Sequence, residues 1–134
     1  MPEHVFTYGS LMYAAVWERV VCGRYPSAPA LVAGHARFAV RNASYPGLIA
    51  APGASVRGVL YFDVDDADLA ALDNFEGPEY RRQVLSVTLD TGEKLHAATY
   101  LYIDPTGLST VPWQPEAFRL EEFLRAYCSG SGAP

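Results

Sequence analysis

The chain has 134 residues, of which 50% are apolar and 19% are charged, and its formal net charge is -5. This length fits one domain with a single core, and the composition excludes a disordered or fibrous protein. The 10 Lys and Arg residues are too few for the concentrated basic face of a nucleic-acid binder. We therefore expect no nucleic-acid partner.

The sequence also argues against membrane and metal binding. No apolar run approaches the roughly 18 residues that span a bilayer, and no basic segment precedes an apolar stretch at the N-terminus. Cys22 and Cys128 are too few for a disulfide scaffold and do not have the spacing of zinc ligands. We expect a cytoplasmic protein without membrane, metal or cofactor, present as a monomer or a small homo-oligomer.

The N-terminal part predicts a strand followed by a helix. Residues 4–8 are rich in β-formers, and the strand stops at Gly9 and Ser10. Apolar residues then recur at helical spacing over residues 12–21. The segment Tyr8-Gly9-Ser10-Leu11 is therefore a candidate strand-to-helix turn.

The middle of the chain predicts further strands and then a second helix. The expected order is one or two strands over 29–41 with a bend at Gly34, a turn at 45–47, an apolar run over 48–51, a turn at 52–53 and a strand over 56–64. Acidic residues at 65–68 then supply an N-cap and favourable first-turn charges for a helix that reaches about Phe75.

The last part predicts a β-hairpin and a final helix. Residues 84–89 alternate with period two, residues 90–93 form a turn, and residues 95–103 form the second arm. After a loop at 104–107, a helix is expected from Pro115, and its apolar stripe comprises Ala117, Leu120, Phe123, Leu124 and Tyr127. We expect one α+β domain over residues 1–128 with a strongly curved, mainly antiparallel sheet, and a frayed tail over residues 129–134.

The turn Tyr8-Gly9-Ser10-Leu11 is the first candidate binding element. Gly9 can adopt a positive φ and let the backbone approach a ligand closely. Successive N–H groups at the start of a helix would then point outward and attract a carboxylate or a phosphate. The alternative is that Ser10 only caps the helix after a sharp turn.

Glu76 is the candidate proton carrier. It shares a sector of the predicted helix with Leu69 and Leu72, so the apolar stripe directs its carboxylate toward the core. Pro78 places Glu76 in or beside the last turn, where the helix dipole is negative. Burial and this dipole both favour a raised pKa, which suits a group that accepts and returns a proton near neutral pH. The alternative is an exposed glutamate in a loop.

Tyr80, Arg81 and Arg82 follow at the start of the next predicted strand. Tyr80 could line a pocket beside Glu76. The two arginines alternate in direction and are expected to pair with acids such as Asp73 or Glu79. Ser10 lacks the flanking residues of a nucleophile elbow, so a Ser-His-acid site has no support in the sequence.

Taken together, the motifs resemble those of the γ-glutamylcyclotransferase-like family. They are Tyr8-Gly9-Ser10-Leu11, Tyr45-Pro46-Gly47, Val56-Arg57-Gly58-Val59-Leu60-Tyr61 and Leu69-x-x-Leu72-Asp73-x-Phe75-Glu76-x-x-x-Tyr80-x-Arg82. More narrowly, the chain is similar to the branch of γ-glutamylamine cyclotransferases and plant avirulence-induced-gene-like proteins. The resemblance covers about residues 5–103, and Trp113 is also in keeping with it.

The resemblance implies a small, curved, barrel-like mixed β-sheet flanked by helices. It implies that the backbone of Tyr8, Gly9, Ser10 and Leu11 binds the α-carboxylate of a γ-glutamyl group, that Glu76 is the acid/base and that Tyr80 is a pocket wall. The implied reaction is cofactor-independent cyclisation of a γ-glutamyl amine, or a related conjugate, to 5-oxoproline with release of an amine. Two alternatives remain: a non-catalytic module that binds a small carboxylate, and an enzyme that removes a γ-glutamyl protecting group in a biosynthetic pathway.

Overall fold

The computed structural model describes residues 3–41, 43, 45–115 and 125. Its strands are β1 (Glu3–Thr7), β2 (Ser27–Val40), β3 (Pro46–Val64), β4 (Tyr80–Leu89), β5 (Lys94–Tyr102) and β6 (Leu108–Pro112). Its α-helices are α1 (Ala14–Val20) and α2 (Asp66–Glu76), and short 3-10 helices cover Ser10–Met12 and Pro105–Gly107.

Five strands close into a small barrel. The pairing order is β3-β1-β5-β4-β2, and β2 pairs with β3 again to complete the circle, while β6 continues beside β2. Only β1 and β5 run parallel among these pairs. Closure pairs the edges that an open sheet would expose. The expected α+β fold with a curved, mixed and mainly antiparallel sheet is confirmed.

The two long strands β2 and β3 differ from the expected pattern of short strands and turns. Pro46 and Gly47 are not a turn but the start of β3, where they pair with Ala39 and Phe38. The turn expected at 52–53 is also wrong, because β3 runs through it and bends at Gly53, which has φ 86°. Gly34 on β2 has φ 74° beside a shift in register, so bulges at these glycines bend both strands around the barrel.

The hairpin of β4 and β5 is confirmed, with Thr88 opposite Lys94 at the turn and Tyr80 opposite Tyr102 at the other end. The first helix is shorter than expected, because Tyr13 is extended (φ -86°, ψ 125°) and separates α1 from the 3-10 helix. Strand β6 is not predicted from the sequence. The helix expected from Pro115 and the tail at 129–134 lie almost wholly outside the described residues.

The core has an inner part and an outer part, because successive side chains of β1 point to opposite faces of the sheet. Phe6 belongs to the inner cluster, to which all five barrel strands contribute, whereas Val5 packs with residues of α1 and α2 on the outer face. In the outer cluster the ring of Trp17 stacks on Tyr61 with centroids 3.7 Å apart. This packing holds both helices against the barrel near the end of β1. No helix in the described part of the chain has the length and apolar character needed to cross a membrane.

Candidate active site

Local sequence determines where α2 ends and therefore where Glu76 lies. The Asp65 carboxylate caps the helix by accepting a 2.8 Å hydrogen bond from Asp68 N. At the other end, Gly77 has φ 83° and donates its N–H to the Asp73 carbonyl at 3.0 Å. Glu76 is consequently the last residue of α2, as the sequence predicts, and the alternative of a glutamate in a loop is wrong.

A cavity of about 360 Å³ lies where the end of α2 meets the end of β1. All six residues proposed for the site line it: Tyr8, Gly9, Ser10, Leu11, Glu76 and Tyr80. Further lining residues include Pro46, Phe75, Glu79 and Tyr100. The barrel thus brings together two segments that are far apart in sequence.

The environment of Glu76 makes its carboxyl group a weak acid. Its side chain is partly buried in the cavity wall, and burial raises its pKa from 4.5 to about 8 because the charged form loses solvation. The residue keeps some contact with the open cavity. The carboxyl group is therefore accessible to a ligand and exchanges its proton near neutral pH.

The turn that follows β1 has a different geometry from the one expected. Gly9 has φ -129° and ψ -132°, so the expectation of a positive φ is wrong. The position excludes larger residues for a steric reason, since a Cβ at Gly9 would come within 2.8 Å of Pro46 Cγ. The turn also leads into the 3-10 helix at Ser10–Met12 and not directly into α1.

The backbone of this turn offers hydrogen-bond donors. Met12 N donates to Gly9 O at 3.0 Å and Tyr13 N donates to Ser10 O at 3.1 Å, which closes the 3-10 turn. Gly9 occupies the N-cap position of the 3-10 helix and Tyr13 that of α1, so the expected alternative of Ser10 as the helix cap is wrong. Within the described ranges, no protein group accepts a hydrogen bond from the N–H of Gly9, Ser10 or Leu11. These three N–H groups are available to a ligand.

Two tyrosines form rigid walls of the cavity. The Tyr8 hydroxyl donates to Tyr100 O at 2.6 Å, and the Tyr80 hydroxyl donates to Pro46 O at 2.7 Å. Burial raises the pKa of both phenols, and the negative charge of Glu76 adds to this effect. Both side chains therefore stay neutral, and their rings are held in place by backbone acceptors.

A polar cluster on the outer side ties α2 to the hairpin. Arg82 Nη1 lies 3.1 Å from Asp73 Oδ2, and the Tyr100 hydroxyl donates to Asp73 Oδ1 at 2.7 Å. The expected pairing of Arg82 with Asp73 is confirmed, whereas Arg81 contacts Gln83 and not an acid. Sequence reasoning missed Tyr100, although the register of the predicted hairpin places it opposite Arg82. The cluster fixes the last turn of α2 against the barrel.

The fold and cavity define a class of small β-barrel protein in which a weakly acidic carboxyl group and a turn whose backbone donors are unpaired within the described residues belong to residues that line one cavity. The sequence model of the family described as gamma-glutamyl cyclotransferase, AIG2-like, matches residues 5–118. The chain belongs to this family.

Individual relatives agree with this assignment. The chain is 35% identical to AIG2-like protein D of Arabidopsis thaliana over 130 residues, which cover 90% of this chain and 84% of the relative. A protein of Arabidopsis thaliana with a known solution structure has a TM-score of 0.74 and 28% identity, over 94% of this chain and 79% of that one. An AIG2-like protein of Mus musculus shares the fold, with a TM-score of 0.63 and 22% identity over 88% of this chain and 94% of that one.

Proposed function

We propose that this chain is a cofactor-independent γ-glutamyl cyclotransferase with Glu76 as its acid/base. The supporting observation is that one cavity is lined by Glu76 and by Gly9, Ser10 and Leu11, whose N–H groups have no acceptor among the described residues. In this proposal the turn binds the α-carboxylate of a γ-glutamyl amine, or a related conjugate, and Tyr80 is a wall of the pocket.

The reaction needs no protein nucleophile. The α-amine of the γ-glutamyl group attacks its own side-chain carbonyl, so a C–N bond forms and closes the ring of 5-oxoproline. The bond from that carbonyl to the departing nitrogen breaks. Glu76 accepts a proton from the attacking amine and delivers one to the departing nitrogen, which leaves as a neutral amine. Holding the substrate in a folded conformation lowers the entropic part of the barrier.

The pKa of Glu76 suits this proton transfer. A pKa of about 8 brings Glu76 much closer to the pKa of an α-ammonium group than an ordinary glutamate is. Transfer of a proton from the substrate amine to Glu76 therefore costs less free energy than transfer to an ordinary glutamate. A glutamate with an ordinary pKa would be a much weaker base toward this amine.

The size and walls of the cavity are consistent with a small substrate. A volume of about 360 Å³ is at the lower end of the range for small-molecule sites. Phe75, Pro46 and Tyr80 supply apolar surface around the polar groups of Glu76 and the turn.

Glu76→Gln is the direct test. A panel of γ-glutamyl amines, γ-glutamyl amino acids and other γ-glutamyl conjugates is incubated with the protein, and 5-oxoproline is measured by mass spectrometry. We expect release by the wild type and a fall in kcat of about 10²–10⁴-fold in Glu76→Gln, because the amide cannot carry the proton. Glu93→Gln makes the same chemical change at an exposed hairpin position and should retain full activity.

The other outcomes identify the alternatives. Near-wild-type activity in Glu76→Gln would exclude Glu76 as the acid/base. Ligand-dependent thermal stabilisation without 5-oxoproline across the panel would favour a non-catalytic carboxylate-binding module. Turnover confined to γ-glutamyl derivatives of biosynthetic intermediates would favour removal of a γ-glutamyl protecting group.

A further inference from the structure

Arg37 on β2 contacts the binding turn from behind. Its Nη1 donates to the Tyr8 carbonyl at 2.7 Å and, more weakly, to the Arg57 carbonyl at 3.4 Å. Its guanidinium group also lies over the ring of Trp113, with Cζ 5.1 Å from the ring centroid. Trp113 N in turn donates to the Arg37 carbonyl at 3.3 Å. The side chain is half-buried and held from two sides.

The peptide that Arg37 contacts is the one that carries the first donor of the turn. The Tyr8 carbonyl and the Gly9 N–H belong to a single peptide unit, and in a trans peptide these two groups point in opposite directions. Arg37 is absent from the described residues that line the cavity, whereas Gly9 is among them. The hydrogen bond from Arg37 therefore orients this peptide and polarises its N–H from the side opposite the cavity.

The charges around the cavity make this contact important. Its titratable carboxyl groups are Glu76 and Glu79, and none of the described lining residues is Lys, Arg or His. A bound carboxylate would thus lie near the Glu79 carboxylate, and near that of Glu76 when it is ionised, with no cation among the described lining residues. The positive charge of Arg37 already affects a side chain of the turn. Burial and the charge of Glu76 raise the pKa of the Tyr8 phenol, and the charge of Arg37 opposes this rise.

We propose that Arg37 is a positioning residue that gives the turn at Tyr8 and Gly9 its affinity for the substrate carboxylate, through the orientation and polarisation of the peptide between them. This inference rests on the proposed function, because it assumes that the turn binds a carboxylate. It adds a residue that touches neither the substrate nor the reacting atoms and that lies outside the sequence motifs quoted above.

The test compares Arg37→Gln, Arg37→Lys and the control Arg57→Gln with the wild type. Arg57 is the neighbouring arginine on β3, and its side chain points to a surface ion pair with Asp90 at 3.0 Å. Calorimetry measures the Kd of 5-oxoproline, which has the carboxylate, and of its carboxamide, which lacks it. Kinetics measure KM and kcat for the substrate that the panel identifies, and circular dichroism checks folding.

We expect Arg37→Gln to weaken 5-oxoproline binding about tenfold, a size typical of a partly buried charge acting on a nearby charged group. KM should rise by a similar factor with little change in kcat, because the lost interaction is the same in the ground and transition states. Arg37→Lys should recover most of the affinity, and Arg57→Gln should match the wild type. The amide proton resonance of Gly9 should shift in Arg37→Gln and much less in Arg57→Gln.

The results that overturn the inference are distinct from those that overturn the proposed function. Equal binding of 5-oxoproline by Arg37→Gln and wild type would exclude a role for Arg37 while leaving the cyclotransferase proposal intact. Equal weakening of 5-oxoproline and its carboxamide, or no recovery in Arg37→Lys, would show that Arg37 only maintains the structure. A wild type that neither binds 5-oxoproline nor releases it from any substrate would remove both proposals.

Discussion

Replacing Glu76 by glutamine should change how the stability of the protein depends on pH. The folded state raises the pKa of Glu76 from 4.5 to about 8, so it binds this proton more tightly than the unfolded state does. Between those two pH values the native protein carries more protons than the unfolded chain, and its free energy of unfolding falls as the pH rises. The cost of burying the ionised carboxylate is complete above about pH 8.

The size of the effect follows from the two pKa values. A difference from 4.5 to about 8 corresponds to about 5 kcal/mol when the group is fully shielded from water. Glu76 keeps some contact with the open cavity, which screens the charge, so we expect about 2–3 kcal/mol. Glutamine has no proton to lose. Glu76→Gln should therefore be more stable than the wild type by this amount at pH 9 and nearly equal to it near pH 4.

Urea denaturation followed by tryptophan fluorescence at pH 4.5, 6, 7.5 and 9 measures this difference, because other titrating groups cancel between the two proteins. Glu93→Gln is the control and should run parallel to the wild type. Parallel curves for Glu76→Gln as well would show that Glu76 titrates as an ordinary surface carboxylate. Glu76 would then lack the raised pKa that suits it to proton transfer near neutral pH.

Two further substitutions test contacts that hold the turn after β1 and the helix α2 in place. Gly9→Ala should raise KM about tenfold and destabilise the protein by about 1–3 kcal/mol. The reason is that the new Cβ would come within 2.8 Å of Pro46 Cγ and displace the turn. Unchanged kinetics and an unchanged melting temperature would contradict this. Asp68→Ala should cost about 3 kcal/mol at pH 7, since the buried Asp68 carboxylate accepts hydrogen bonds from Cys22 N, Gly23 N and the Tyr25 hydroxyl. Burial alone would raise the pKa of Asp68, but these hydrogen bonds hold it below 3.8. The ionised carboxylate therefore contributes its full stabilisation above pH 3.8, and this stabilisation disappears as the pH falls through the lowered pKa. Denaturation of Asp68→Ala and the wild type at pH 7 and pH 3 measures this difference in the free energy of unfolding. A difference at pH 7 below about 0.5 kcal/mol would refute the prediction.

Local sequence was sufficient for the elements whose signals lie within a few residues of one another. The helix α2 begins at a side-chain cap from Asp65 and ends at Gly77, so Glu76 could be placed at its last turn before any tertiary contact was known. The hairpin of β4 and β5 was equally readable from alternation around a polar turn. The raised pKa of Glu76 also followed, because the apolar stripe of Leu69 and Leu72 directs that face of the helix toward the core.

Tertiary pairing decided the features that depend on distant partners. Gly53 lies at a turn by composition, yet β3 continues past it because β2 pairs with β3 on both sides of it, with residues 55–61 before Gly34 and with residues 46–50 after it. Residues 51–54 have no partner on β2 and bulge opposite Gly34. Gly9 needs no positive φ; the ring of Pro46 is what excludes a side chain there. Arg37 reaches the Tyr8 carbonyl only because barrel closure brings β2 behind the end of β1. The sequence alone indicated Glu76 and the turn at residues 8–11 as candidate groups, whereas the closed barrel decided that they meet, since contacts between strands join residues that no local pattern relates.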